Sequence, residues 1–363
     1  MIMLKTHLFT PLFLFITGIG FSQYYAAYND IQNDFYVFEK GIKKRLEFNT
    51  IETFAVGGQG VGYVDNIGRF KIYANGKLID TRLSDPTDLI NTDYYLTVSV
   101  GEQLRAFHDG KLNLVTNWAQ NYKVGDSIIA YNDQLKNNFV AYYLGKQYIL
   151  ENGTVGDGIQ QYWVGDNIVA YMDNADYFKV FYHGEIVELL LNVPIKGLQI
   201  AKNTIAYVNT NTNAFEIFYK GESFILEDFA PTSFVVGDDM VAYYTNNNEF
   251  KVFYNGEIIS VGLFSPKNIK LKDNILSFQQ DNLLKVFFKG KVYTLESYIP
   301  ENYLQDFNSL VYIDPYGKLK LFQEGVTNYI TAEPILNYDV QLETITYRSV
   351  NQNTNIYYRG TTY

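Results

Sequence analysis

The 363-residue chain contains no cysteine and only three histidines. The lack of cysteine excludes disulfides, thiolate nucleophiles, thiolate metal sites and lipid attachment through a thiol. The sequence also has no H-E-x-x-H element, no G-x-S-x-G elbow, no G-x-x-x-x-G-K-[ST] phosphate loop and no D-x-[DN]-x-[DN]-G calcium loop. These absences favour a non-catalytic protein over an enzyme, and we expect neither a metal nor a cofactor.

No apolar run reaches the roughly 20 residues that a membrane-spanning helix requires. The longest run, residues 8–21, follows Lys5 and precedes Ser22. A charged start, a short apolar stretch and small residues at its end are typical of a signal peptide. We therefore expect residues 1–22 to be a signal peptide cleaved near Ser22. The mature chain, residues 23–363, would be exported to the periplasm or the cell exterior and would have no membrane span.

Positive charge is scarce: 29 Lys and Arg stand against 39 Asp and Glu, for a formal net charge of -10. Nucleic acids and anionic membranes reward clustered Lys and Arg, but the basic residues here are scattered, apart from residues 43–45. This charge argues against nucleic acid and anionic membranes as partners. The expected partner is a protein or another cell-envelope component, with a glycan as the alternative.

A short pattern recurs along the whole mature chain. An apolar strand, an Asn- and Asp-rich turn, a strand of the type F-K-V-F-Y, a dipeptide X-Gly and a further apolar strand follow one another most clearly in residues 167–190, 203–228 and 239–261. The register glycines, spaced 34 to 39 residues apart, are Gly41, Gly76, Gly110, Gly145, Gly184, Gly221, Gly256, Gly290, Gly325 and Gly360. About ten units therefore account for residues 23–363 as one repeat domain.

Each unit contains two predicted reversals. X-Gly between alternating apolar residues indicates a two-residue hairpin. A second tight turn precedes the apolar strand, as in VGDS at 124–127, VGDN at 164–167 and VGDD at 236–239. Each unit thus reads as four short antiparallel strands, a, b, c and d in chain order, which predicts an all-β propeller of about ten blades. An open stack of hairpins or a β-solenoid is the less favoured alternative.

In its repeats the chain resembles β-propeller repeat proteins in the broad sense, including the WD40-like and TolB-like exported propellers of bacteria. The resemblance covers the mature chain but includes no WD dipeptide, no Asp-box and no recurring kelch double glycine, so it implies architecture and no family function. The mature chain begins directly at a strand of type b, YYAAY at 24–28. We therefore expect one partial unit whose termini meet, in a single ring of ten blades or in two rings of five.

Strand alternation places the b–c loops and the d–a crossovers at the same end of the unit. Loops on a rigid scaffold are where binding residues concentrate, so this end is the predicted binding face. The candidate binding residues of the b–c loops are Asn137, Asn138, Asp173, Asn174, Asp176, Asn211, Asn213, Asn246, Asn247 and Asn248. The competing interpretation is that Asn and Asp are good turn residues.

Aromatic residues recur at fixed repeat positions. Tyr131, Tyr171, Tyr207 and Tyr243 stand on strand b, and Tyr143, Tyr182, Tyr219 and Tyr254 stand just before X-Gly. We expect both sets to pack between neighbouring blades, with sugar stacking as the alternative. Trp118 and Trp163 do not share a repeat position and are candidate contacts for a partner. His108 and His183 are expected to lie in solvated c–d turns.

The sequence therefore favours an exported, non-catalytic binding or scaffold protein. The alternative is a carbohydrate-binding or carbohydrate-hydrolysing propeller. Hydrolysis would need a pair of carboxylates roughly 5 to 10 Å apart, for which Asp126, Asp166, Asp238 and Asp239 are available. These four lie in the a–b turns, where Asp also has a role in shaping the backbone.

Overall fold

The computed structural model describes residues 25–154, 156, 158–191 and 194–363. The predicted signal peptide, residues 1–22, lies outside this part of the chain. Among the described residues, no helix is long and apolar enough to cross a bilayer. The described chain folds into thirty-nine β-strands arranged in ten antiparallel sheets, which we call blades 1 to 10 in chain order.

Blades 1 to 5 occupy the first half of the chain. Blade 1 consists of β1 (Tyr25–Asn29), β2 (Phe35–Glu39) and β3 (Ile42–Glu47). Blade 2 consists of β4 (Thr53–Gly57), β5 (Gly60–Val64), β6 (Arg69–Ala74) and β7 (Lys77–Ser84), and blade 3 of β8 (Asp88–Asn91), β9 (Leu96–Val100), β10 (Gln103–His108) and β11 (Lys111–Thr116). Blade 4 consists of β12 (Ala119–Val124), β13 (Ile128–Asp133), β14 (Asn138–Tyr143) and β15 (Lys146–Asn152), and blade 5 of β16 (Tyr162–Val164), β17 (Ile168–Met172), β18 (Tyr177–Tyr182) and β19 (Glu185–Leu191).

Blades 6 to 10 repeat the same order. Blade 6 consists of β20 (Ile195–Ala201), β21 (Thr204–Asn209), β22 (Phe215–Tyr219) and β23 (Glu222–Glu227), and blade 7 of β24 (Ser233–Gly237), β25 (Met240–Tyr244), β26 (Phe250–Tyr254) and β27 (Glu257–Gly262). Blade 8 consists of β28 (Lys267–Lys272), β29 (Ile275–Gln280), β30 (Leu283–Phe288) and β31 (Lys291–Glu296), and blade 9 of β32 (Tyr303–Asp306), β33 (Ser309–Ile313), β34 (Leu319–Gln323) and β35 (Val326–Tyr329). Blade 10 consists of β36 (Ile335–Gln341), β37 (Thr344–Ser349), β38 (Thr354–Tyr358) and β39 (Thr361–Thr362).

The predicted X-Gly hairpins join strands c and d. In blade 7, for example, Asn255 and Gly256 both have positive φ, at 50° and 92°. Two successive left-handed residues twist the turn in the sense of the flanking strands, and Asn and Gly adopt that conformation at low cost. The pairing on either side is antiparallel, with Tyr254 opposite Glu257. The local sequence therefore fixes the hairpin register.

Ten hydrophobic clusters, one between each pair of consecutive blades, form the core. The last of them joins Ile356 and Tyr358 of blade 10 to Ala26 and Phe38 of blade 1. The blades therefore close into a single ring, which is a ten-bladed propeller. The alternative of two five-bladed rings is wrong. Within residues 25–363, apart from the few internal gaps, the unit with fewer strands is blade 1, which has three.

The tyrosines that precede X-Gly pack against the next blade, as predicted. Each contacts a phenylalanine of strand c in the following blade, with the two rings close to perpendicular. The ring centroids are 6.0 Å apart in Tyr143–Phe181, 5.8 Å in Tyr182–Phe218, 5.0 Å in Tyr219–Phe253 and 5.7 Å in Tyr254–Phe287. Edge-to-face pairs of this kind contribute about 0.5–1.5 kcal/mol beyond the area that they bury.

The strand-b tyrosines are also buried between blades, and four of the interfaces add a polar contact. The Glu151 carboxylate of blade 4 accepts hydrogen bonds from the Tyr171 hydroxyl, at 3.0 Å, and from Lys179 Nζ, at 2.8 Å, both of blade 5. We call this Tyr–Glu–Lys arrangement the interblade clasp. It recurs as Tyr63–Glu47–Lys71, Tyr243–Glu227–Lys251 and Tyr312–Glu296–Lys320.

Candidate functional site

The ring has two chemically different ends. The b–c loops and d–a crossovers form one end, which we call the loop face, and the a–b and c–d turns form the other, the turn face. Strand a is an edge strand of every four-stranded blade, and the strands a of consecutive blades contact one another, as β20 does β24 and β24 does β28. Strand a is therefore innermost, and the a–b turns rim the central channel. The predicted binding residues lie on the loop face.

The structure gives the predicted b–c loop residues clear conformational roles. Asn137, Asp176, Asn213 and Asn248 adopt positive φ, which Asn and Asp tolerate better than most residues. Asp173 Oδ1 accepts the backbone N–H groups of residues 175 and 177 and so closes the turn. These residues occupy separate blades and are not brought together into one pocket. Their role as turn residues is established, and their role in binding stays a prediction.

The remaining predicted loop residues have similar positions. Asn246 donates its amide to a backbone carbonyl of the d–a crossover, Ala230, at 3.0 Å. The backbone N–H of Asn211 is bonded to the Asn209 side chain. Asn138, Asn174 and Asn247 lie in or directly beside the b–c loops that carry Asn137, Asp173 and Asn246. Each candidate therefore lies on the loop face, as the strand alternation predicts.

Exposed apolar side chains mark the loop face more distinctly than its amides. Phe48 and Leu263, in d–a crossovers, are 72% and 80% exposed, and Tyr316, in a b–c loop, is 78% exposed. The loops of this face also expose Ile31, Ile67, Trp118, Leu135, Phe229 and Val350. On the turn face, within the described ranges, the a–b and c–d turns expose one large apolar side chain, Leu144. Sequence reasoning missed this asymmetry.

A cleft of about 560 Å³ opens on the loop face between blades 8, 9 and 10. The d–a crossover 298–302, the b–c loop 313–317 and strand β36 line it. The Tyr298 hydroxyl is buried there without a hydrogen-bond partner. Asn302, Asn337 and Asp314 add polar atoms to the lining. The cleft can accommodate a small polar ligand or a side chain of a larger partner.

The two tryptophans have different environments. Trp118 belongs to the d–a crossover between blades 3 and 4, on the loop face, and is 46% exposed. Trp163 lies on the innermost strand of blade 5 and packs against the cluster between blades 5 and 6. Trp118 is therefore placed to contact a partner, whereas Trp163 contributes to the core.

One prediction about histidine is wrong. The His108 side chain is only 12% exposed, because the ring lies against Tyr94 and Tyr95 and its Nε2 lies 3.0 Å from the Tyr142 hydroxyl of the next blade. His183 stacks on Tyr182 at 4.0 Å and is exposed in its c–d turn, as predicted. His108 is thus part of a blade interface rather than a solvated turn.

At the turn face, aspartates from several blades converge on a channel mouth of about 340 Å³. Burial, with Asp93 nearby, raises the pKa of Asp126 to about 7, and burial, with Asp166 nearby, raises that of Asp238 to about 7. Burial likewise raises the pKa of Asp166 and of Asp273 to about 6. Sequence reasoning identified three of these aspartates in turns but could not bring them together across blades.

These carboxylates also link neighbouring blades. Asp126 Oδ1 accepts the backbone N–H of Tyr94, one blade away, at 2.8 Å. The carboxyls of Asp166 and Asp238 lie close enough for each to influence the pKa of the other. The a–b turn aspartates therefore act on one another across blades.

The closed ring of antiparallel blades, with short turns at one end and longer loops at the other, defines a β-propeller, a fold that supports a binding or scaffold role in general. The chain belongs to the ten-bladed β-propeller family, because a family model described as "10-bladed beta propeller domain" matches residues 21–363. No curated protein matches the chain.

Several solved structures are similar in part. The computationally designed Ika8 protein is 14% identical with a TM-score of 0.35, and the match covers 75% of this chain and 96% of that one. Hsv2 of Kluyveromyces lactis is 13% identical with a TM-score of 0.33, over 66% of this chain and 95% of that one. The tricorn protease is 11% identical with a TM-score of 0.31, over 92% of this chain and 45% of that one.

Proposed function

We propose that this propeller is an exported, non-catalytic binding or scaffold protein that engages a protein partner through its loop face. The observation that carries the proposal is the set of large apolar side chains exposed on the loops of that face, among them Phe48, Phe229 and Leu263. Exposed apolar groups on loops of a rigid frame are typical of protein interaction sites. The export part of the proposal rests on the signal-like residues 1–22.

The loop-face hypothesis is tested by capture of partners from envelope extract with the purified mature chain. The double variant Phe229→Ser/Leu263→Ser should reduce capture of a specific partner at least tenfold. Leu144→Ser is the matched control, since Leu144 is also exposed but lies on the turn face. Thermal unfolding should show that both variants remain folded. Equal capture by both variants would place the interaction elsewhere.

A glycan is the second candidate ligand, and the cleft between blades 8, 9 and 10 favours it. Tyr298 and Tyr338 supply aromatic rings, and Asn302 and Asn337 supply amide groups, a combination that suits sugar rings and hydroxyls. A glycan array run on the same protein tests this candidate. Tyr298→Ala should abolish any glycan signal, and Phe229→Ala, in another d–a crossover, should not. A blank array contradicts the glycan candidate.

A further inference from the structure

Among the described residues, blade 1 has three strands and no counterpart of strand a, which the other nine blades have. Within the residues that the structure describes, β1 pairs with β2 and with no strand on its channel side. A space of about 400 Å³ lies there, between β1, β4 of blade 2 and β36 of blade 10. We call this space the strand slot.

The backbone edge of β1 faces the slot. The Ala27 N–H donates to Gln341 Oε1 at 2.8 Å, and Gln341 Nε2 donates to the Ala27 carbonyl at 3.1 Å. A comparable exchange between blades 6 and 7 involves Gln199, two register positions earlier on strand a, which bonds to the Phe234 carbonyl at 2.9 Å and to the Val236 N–H at 3.2 Å. Gln199 thus reaches strand a of the next blade, whereas Gln341 reaches β1, which is strand b of blade 1.

Two polar groups that line the slot have no partner. Thr346 is only 6% exposed, and its hydroxyl makes no hydrogen bond. The side-chain oxygen of Asn29, at the end of β1, is likewise buried and unbonded. Both residues line the strand slot. Buried polar groups are normally satisfied, so these two indicate a position where a further polar chain is accepted.

The neighbouring blades show which kind of segment fits. Strands β4 and β24 read TFAVG and SFVVG, each five residues long, and a two-residue turn joins each of them to strand b. Phe54 and Val56 of β4 pack on the interface toward the preceding blade, as do Phe234 and Val236 of β24. The slot therefore suits a five-residue extended segment with apolar side chains at its second and fourth positions.

The chain itself carries such a segment, GIGFS, at residues 18–22. Two residues separate it from β1, as in β4 and β24, and Ile19 and Phe21 match the apolar positions. Cleavage near Ser22 would remove this segment from the mature chain. The cleaved signal peptide would then contain the residues that suit the slot.

We propose that the strand slot of the mature protein accepts an extended apolar segment of a partner protein, which adds to β1 as the fourth strand of blade 1. Main-chain hydrogen bonds to a strand edge supply affinity in this binding mode, and alternate side chains supply specificity. The incoming segment displaces the Gln341 side chain from the Ala27 N–H and carbonyl. The inference rests on the proposed export, because it requires the leader to be removed. It concerns a site separate from the apolar loops, so the strand-slot proposal and the loop-face proposal can fail independently.

The experiment uses the exported protein, whose N-terminus is first determined by intact mass. A fluorescein-labelled peptide of residues 17–22, TGIGFS, serves as the probe, and its I19D/F21D form is the control peptide. Fluorescence anisotropy should show saturable binding of the probe and at least tenfold weaker binding of the control. A mature chain that retains residues 18–22, or a protein that binds neither peptide, overturns the proposal.

Three protein variants locate the binding. Ala27→Pro removes the N–H that faces the slot and adds ring carbons at a buried position, and it should weaken binding at least tenfold. Gln341→Ala frees the edge and should strengthen binding several-fold, whereas the matched Gln199→Ala should leave it unchanged. If Ala27→Pro does not fold, the comparison of the two glutamine variants still decides. Equal effects of those two variants contradict the proposal. If the same variants still capture a partner from envelope extract, the proposed function of the loop face stands even though the strand-slot proposal fails.

Discussion

The carboxylates of the turn face give the protein a pH dependence of defined sign. Burial raises the pKa of Asp238 to about 7, against an ordinary value of 3.8. Between these two pH values the folded chain holds a proton that the unfolded chain has released. Because the unfolding free energy falls with pH wherever the folded state binds more protons, stability should decrease across this window. The stabilising contribution of protonated Asp238 is fully present below pH 3.8 and is lost as the pH rises through about 7.

The magnitude follows from one proton per carboxyl. A proton held only by the folded chain changes the unfolding free energy by about 1.4 kcal/mol per pH unit, so the full window corresponds to about 4 kcal/mol at most. Asp166 interacts with Asp238 and takes up part of the same proton when Asp238 is replaced. We therefore expect Asp238→Asn to flatten the dependence by about 1–2 kcal/mol between about pH 5 and pH 8.

Urea unfolding of wild type and Asp238→Asn across this range measures the effect. Asp65→Asn is the control: burial opposes ionisation of Asp65, but hydrogen bonds from Lys71 and from the backbone N–H groups of residues 67 and 69 outweigh it and lower its pKa. The stabilisation by Asp65 is present above the unfolded value of 3.8, so its loss should be constant over the tested range. If the unfolding free energy of Asp238→Asn changes with pH in parallel with that of wild type, the reasoning is refuted.

Two further substitutions test the blade interfaces. Tyr171→Phe removes one hydrogen bond of the interblade clasp to Glu151 and should lower the unfolding free energy by about 1–2 kcal/mol, measured by urea unfolding; no change would mean that the clasp is energetically neutral. Gly237→Ala would place a Cβ 2.6 Å from Leu271 Cγ, whereas Gly256→Ala meets nothing within 4 Å. The first should therefore cost about 1–3 kcal/mol by overpacking, the second about 1–2 kcal/mol from its positive φ, and the reverse order would contradict the packing argument.

The blades were predictable because their signals are local. X-Gly between alternating apolar residues determines each c–d hairpin, and its regular spacing determines the number of units. Ring closure was not predictable in the same way, since ten units fit one ring or two. It depends on contacts between residues more than three hundred positions apart, such as Phe38 with Tyr358.

The interblade clasp could have been found from the sequence. The dipeptide Leu-Glu stands at or near the end of strand d at residues 46–47, 150–151, 226–227 and 295–296. In each case the following unit carries the strand-b tyrosine and the strand-c lysine that bond to the glutamate. The glutamate and its two partners belong to consecutive units, so an alignment of single units does not show them together. An alignment of pairs of consecutive units would have revealed the recurring Tyr–Glu–Lys arrangement.

The channel carboxylates could not have been assigned from sequence. Asp126, Asp166 and Asp238 come from blades 4, 5 and 7, and their raised pKa values arise from burial and from one another. An aspartate in a tight turn is equally consistent with a purely local role. What distinguishes these residues is that the closed ring brings them close together at the central channel. A single repeat does not specify that arrangement.

Ring closure and occupation of the strand slot are physically linked. Among the described residues, the cluster between blades 10 and 1 contains four buried residues, against five to ten in each of the other nine clusters. A strand bound in the slot would contact β1 of blade 1 and β36 of blade 10 together, and so would bind only the closed ring. At a hundred times its Kd such a ligand stabilises the folded state by about 2.7 kcal/mol. The TGIGFS peptide should therefore raise the urea midpoint of the wild-type protein and not that of Ala27→Pro, and equal midpoint shifts in both proteins would show that binding and closure are independent.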